Sequence, residues 1–246
     1  GASDTTFDAT GSPATLGGTV PAPASGNSQA YTFSIIVRDA ENQTFNRDFS
    51  VTAISPPTGG DSIVVNGGYR YHRFSTVGNS ASFEVFAGMT IEYLVVAGGG
   101  SGGGAGGGGA GGVRVGSYTF SGASNQTITV GNGGAFRSSN LAGNDGDNSS
   151  IGSLIVATGG GGGGNYQSPN NGRSGGSGGG AGWQTSASTG GTGITDSGDF
   201  GSATYQGHAG GDNPYYTNGP YSSGGGGGAG SAGQASQANN TSGNGG

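Results

Sequence analysis

Apolar and polar residues alternate with a period of two in two segments near the start of the chain. In the first, Tyr31, Phe33, Ile35 and Val37 share one side; in the second, Phe45, Phe49, Val51 and Ala53 do. Such alternation marks half-buried strands. The polar stretch from Asp39 to Thr44 supplies a turn, so the pattern predicts a hairpin. Pro56-Pro57-Thr58-Gly59-Gly60 then reads as a linker. Beyond it, Ile63-Val64-Val65 and the stretches 69–74, 82–86 and 89–96 are β-branched and aromatic, with turn residues such as Asn66-Gly67-Gly68 between them. The stretches 113–120, 126–130 and 153–157 have the same character, and 113–130 and 151–157 are expected to return and complete a sheet or sandwich. Helical periodicity is absent. The chain therefore divides into 1–57, a linker at 58–60, a β-rich unit at 61–157 and a strand-poor remainder at 158–246.

Between and after these strands the alternation gives way to glycine. The chain holds 63 glycines among 246 residues, with dense runs in 97–112, 159–164, 174–182 and 224–230. Glycine loses the most backbone entropy on ordering and brings no side chain to bury. A collagen helix needs glycine at strict third positions and abundant proline; consecutive glycines and only 8 prolines exclude it. A flexible linker has no use for the strands that feed and leave the runs. The reading favoured over disorder is polyglycine II, an extended threefold helix whose N–H and C=O groups all point sideways. Because buried peptide groups must be paired, such helices have to bond to one another. At about 3.1 Å per residue, the run 97–112 would span roughly 45 Å as one rod. The fold class expected is all-β: an immunoglobulin-like hairpin or partial sandwich, then a β-sandwich unit continuing into a polyglycine-II bundle with polar loops.

Composition narrows the chemistry. The chain has no cysteine and no lysine, and a formal net charge of −6; thiolate metal sites and a lysine-bearing phosphate loop are excluded, and binding to nucleic acid through phosphates is disfavoured. No apolar stretch has the length of a membrane span, and the only Met is Met89, so the chain reads as a piece of a longer polypeptide or a processed form. Gly-Gly-Ser-Gly-Gly at 99–103 and 175–179 matches the nucleophile-elbow pattern, but no helix follows either copy. Asn144-Asp145-Gly146-Asp147-Asn148 has oxygen ligands at short spacing yet lacks the closing Glu of a calcium loop, and reads as a polar turn. Asp145/Asp147 and Asp196/Asp199 read as solvated loop carboxylates rather than an acid–base pair, and His72 as a sheet-surface residue. No enzyme activity and no cofactor are expected.

The loops after residue 158 carry a better signal. Tyr166, Trp183, Tyr205, Tyr215, Tyr216 and Tyr221 stand among Asn, Ser and Gln, which is the composition of binding loops: rigid amphipathic rings with adaptable polar neighbours. They are the candidate receptor-binding residues. The competing reading has these rings capping the ends of the bundle.

Tyr69-Arg70-Tyr71-His72-Arg73-Phe74, Phe83-Glu84-Val85 and Ile91-Glu92-Tyr93-Leu94-Val95-Val96-Ala97-Gly98-Gly99-Gly100 resemble the glycine-rich domain of phage tail proteins, as do Thr127 to Gly134 and Ser149 to Gly161. The alternation of glycine runs and loops is similar to the polyglycine-II tip adhesins of T-even-like phages. The 31–53 pattern resembles the closing strands of bacterial immunoglobulin-like or cadherin-like modules. These resemblances imply a non-enzymatic receptor-binding segment of a viral tail fibre or similar extracellular adhesin. Its partners would be a host cell-surface protein or glycan and other fibre or filament subunits. The alternative is a purely structural subunit of a virion appendage or cell-surface filament.

Overall fold

The computed structural model describes residues 28–38, 40–78, 80–138, 140–183, 186–197, 203–214, 222–238 and 241–246. The chain forms two compact units, Gly1–Pro57 and Thr58–Gly246. All regular elements among the described residues are strands.

In the first unit, β1 (Ser28–Arg38) and β2 (Thr44–Ile54) pair antiparallel along their whole length. Phe33 lies opposite Phe49 and Val37 opposite Phe45, so the alternating apolar residues meet on one side. The Phe33 and Phe49 rings stack at 5.5 Å, and the Arg47 guanidinium sits over Phe49. Phe45 is nevertheless 67% exposed.

The second unit begins with a conventional side-chain core. β3 (Ser62–Asn66) and β4 (Tyr69–Arg73) form one hairpin. A four-stranded sheet has the order β10-β9-β8-β5, from β5 (Ser80–Val85), β8 (Ser124–Thr129), β9 (Ser149–Ile151) and β10 (Ile155–Ala157). β6 (Thr90–Val96) and β7 (Val113–Thr119) pair separately. Alternate residues of these strands, among them Phe83, Val85, Tyr93, Val95, Ile128, Ile151 and Ile155, bury together with Phe120. His72 points toward this core instead of lying on the sheet surface. Its ring packs edge-on against Phe83 at 5.0 Å, Nδ1 contacts the Gly59 carbonyl at 2.7 Å, and Nε2 is buried without a partner.

The β6–β7 ladder does not stop where the glycines begin. Val96 pairs with Val113, and the same register continues as Ala97 N–H to the Gly112 carbonyl, Gly100 to Gly109 and Gly103 to Gly106. Only the spacing changes: bonds between the two arms now recur every third residue, the period of a threefold helix. The run expected to form a single long rod is therefore folded in half, with segments 97–103 and 106–112 antiparallel. Pairing the two arms satisfies peptide groups that one long rod would leave to distant partners.

Around these arms the rest of the unit packs as further extended segments. The centre is 176–182, buried throughout. From Ser177 onward its N–H groups rotate through three neighbours: Ser177 and Gly180 donate to 106–112, Gly178 and Ala181 to 206–213, and Gly179 and Gly182 to 170–175, while Gly176 donates to Gly159. Its carbonyls accept from three others: Ser177 and Gly180 from 158–164, Gly176 and Gly179 from 189–194, and Gly178 and Ala181 from 222–228. The six surrounding segments alternate between acceptor and donor and are bonded to one another, so the ring closes. This is hexagonal packing with a core of peptide groups.

Glycine is required here by distance and not by backbone angle. None of the glycines of these runs has a φ in the left-handed region. A Cβ on Gly178 would instead lie 1.8 Å from the Gly191 carbonyl oxygen, and one on Gly161 1.9 Å from that of Arg173. Two further strands lie where only loops were expected: β11 (Thr195–Ser197) pairs with β12 (Ala203–Tyr205).

Candidate functional site

The hydrogen-bond pattern fixes the direction of every segment. Segments 97–103, 158–164, 176–182, 206–213 and 231–237 run one way; 106–112, 141–147, 170–175, 189–194, 222–228 and 241–246 run the other. The connections therefore fall at two ends. One end carries β6–β7, β9–β10 and β11–β12. At the opposite end lie Gly103, Gly164, Gly182, Asn213 and Gln237, where the segments of the first direction finish, together with Asn140.

Two candidate aromatics meet at this distal end. Tyr166 and Trp183 stack with ring centroids 5.7 Å apart and planes 17° from parallel. Each follows directly on a glycine segment whose register is set by the bundle, which places the rings. Asn165, 2% exposed, locks the geometry. Its Oδ1 accepts from the Tyr166 N–H at 2.8 Å, and its Nδ2 donates to the Asn140 carbonyl at 2.8 Å. The Tyr166 hydroxyl bonds to the Asn140 side chain. A second polar clamp stands beside it: buried Asn213 exchanges backbone bonds with Ser188, donates from Nδ2 to the Gly182 carbonyl and accepts from the Ser236 hydroxyl at 2.7 Å. Rings held by buried amides lose little further entropy on binding.

The other candidates separate. Tyr205 is on β12, at the opposite end. Tyr215, Tyr216 and Tyr221 lie outside the described residues; the flanking Asn213 and Ser222 are buried. Composition pointed to the rings and missed the asparagines that hold them. The available signal was an Asn at the end of a glycine run, where the last peptide groups need side-chain partners. Phe136, 89% exposed in the loop leading to Asn140, was also missed.

The short-spaced oxygen residues at 144–148 are not a turn. They belong to an extended segment, and their side chains brace its neighbours. Asp145 accepts from the Gly162 N–H and from Arg173 at 2.6 Å, and Asn148 accepts from the Gly159 N–H. Asp147 accepts from the Asn132 amide, and the Asn144 amide donates to the Ala135 carbonyl. Among the described residues, no group of three or more His, Asp or Glu is placed to hold a metal. Asp199 lies outside the described residues, and Asp196 is on β11. At the other end, the carboxyl of exposed Asp61 is held below the usual aspartate range. The backbone N–H of Ser75 is the largest cause, followed by the Ser75 hydroxyl and the Thr76 N–H.

A family model described as a glycine-rich domain matches residues 75–246, from the end of β4 through the whole bundle. The chain belongs to the glycine-rich domain family. Comparisons with curated proteins and with solved structures return no match. The matched span of the glycine-rich domain includes both the side-chain core and the hydrogen-bonded bundle, and excludes the β1–β2 hairpin.

Proposed function

We propose that the chain is a non-enzymatic receptor-binding segment of a viral tail fibre or a similar extracellular adhesin. The observation that carries the reading is the sorting of the bundle's ends. Strands occupy one, while the stacked Tyr166–Trp183 pair and the buried amides Asn165 and Asn213 occupy the other. A rigid body that presents aromatic and amide groups at one tip suits recognition of a cell-surface protein or glycan. The alternation of glycine runs and loops along the chain also resembles that of polyglycine-II tip adhesins.

The test is adsorption of the purified chain to cells of candidate hosts and to arrayed surface glycans. Trp183→Ala and the combined change of Tyr215, Tyr216 and Tyr221 to Ala should each reduce adsorption at least about tenfold, with the thermal transition retained. Unchanged adsorption in both variants would remove the tip from the mechanism. The second reading, a structural subunit of a virion appendage or surface filament, is favoured by one observation. The β1–β2 hairpin leaves Ile36, Val37 and Phe45 more than half exposed, which suits contact with a neighbouring subunit.

A further inference from the structure

The hexagonal packing is incomplete on the side of the bundle where segments 106–112 and 222–228 meet. Segment 106–112 has four bonded neighbours: it donates to 158–164 and 222–228 and accepts from 97–103 and 176–182. Both the N–H and the carbonyl of Gly108 lack a partner, as does the carbonyl of Ala105 three residues away. Segment 222–228 has five bonded neighbours. Gly224 and Gly227 donate to 176–182, and Gly225 and Gly228 to 231–237; the third direction belongs to Gly226, a buried residue whose N–H has no protein partner. Segment 241–246 already docks on 222–228 through Gly243 and Gly246, donating to Ser223 and Gly226, and forms one wall. Between it and 106–112 lies a groove of about 770 Å³, lined throughout by Gly, Ala and Ser.

We infer that this groove is a docking site for one more extended glycine-rich segment, supplied by a partner polypeptide. The alternation of donors and acceptors around each segment sets what the guest must do. It accepts from the Gly226 N–H and donates to the carbonyls of Gly108 and Ala105, spaced by the threefold repeat. A buried backbone donor without a partner is rare in folded proteins and calls for an acceptor. A side chain on the guest's inner face would meet backbone at the distances that exclude Cβ atoms elsewhere in the bundle. That selects glycine at those positions. The chain's own 241–246 segment provides the precedent: an extended glycine-rich segment bonded to 222–228 through its backbone, there as donor.

The probe is a synthetic peptide copying residues 174–182, Ser-Gly-Gly-Ser-Gly-Gly-Gly-Ala-Gly, added to the full chain at about 1 mM. Amide hydrogen exchange at Gly226, read by NMR, should slow at least about tenfold, with the Gly108 resonance shifting alongside. A peptide carrying Val at its three central glycines should do neither. Gly245→Leu places a side chain in the groove, where a Cβ meets only the Gly226 oxygen at 3.8 Å, and should abolish the effect. Gly122→Leu, on an open turn with nothing within 4 Å, should retain it. No protection of Gly226, or equal protection by the Val peptide, overturns the assignment and leaves water as the groove's occupant. Equal protection in Gly245→Leu overturns it as well.

Discussion

The Thr58–Gly246 unit is held together in two different ways within one polypeptide. Around Phe83, Val85 and Ile155, side chains fill the interior and the backbone pairs along strand edges. Around 176–182 the backbone is the interior, and within that segment the only side chains are small: Ser177 and Ala181, both 0% exposed. In the first region stability rests on apolar area removed from water. In the second it rests on many peptide hydrogen bonds, each a modest net gain and each costly to leave unmade. The comparison shows that close packing tolerates either material. What it does not tolerate is a Cβ between segments whose partner atoms are backbone on every side.

The largest effect should come from breaking the second region with a small change. Gly178→Val places carbon well inside contact distance of the Gly191 carbonyl, where no flexible side chain can give way. It should cost on the order of 4 kcal/mol or prevent folding, measured by denaturant unfolding. Gly122→Ala has open space and should stay within about 0.5 kcal/mol. In the side-chain core, Phe83→Ala should cost about 3 kcal/mol, because the ring supports both His72 and Phe74. Calorimetry sharpens the contrast further. Apolar exposure raises the heat capacity of unfolding and polar exposure lowers it, so the whole chain should fall below about 12 cal/mol/K per residue. A value at or above that figure would mean that apolar burial dominates the bundle as well.

Ser177→Ala removes a hydroxyl bond of 3.1 Å to the Gly228 carbonyl and should cost about 1 kcal/mol. The smallest effect is electrostatic. Hydrogen bonds to ionised Asp61 depress its pKa in the folded chain. Its contribution is therefore present above the unfolded value of about 3.9 and is lost as pH falls through the depressed folded value. Asp61→Asn should flatten that acid limb of the stability curve and leave neutral pH little changed.

Much of the fold was legible in the residues. Alternation at Tyr31 to Val37 and Phe45 to Ala53 located the first hairpin, and β-branched runs located β3 to β8. His72 was misread because its strand, Tyr69–Arg73, carries aromatic or charged groups on both faces, and alternation cannot then tell inside from outside. β11 and β12 escaped because three-residue strands carry too little pattern. Of the candidate site, the rings Tyr166 and Trp183 were legible by composition. Their contact was not, since 17 residues and a reversal of chain direction separate them.

The residues alone established that this protein is all-β, that glycine replaces a side-chain core over much of its length, and that strands feed the first glycine run. The tertiary structure alone decided which segments are neighbours, where the 97–112 run folds back, and where the packing is incomplete. The reason is chemical uniformity. Every glycine offers the same N–H and the same C=O, so a run carries no record of its partner or register. That choice is made by the β6–β7 ladder at one end, by Asn165 and Asn213 at the other, and by the requirement that each buried peptide group find a mate.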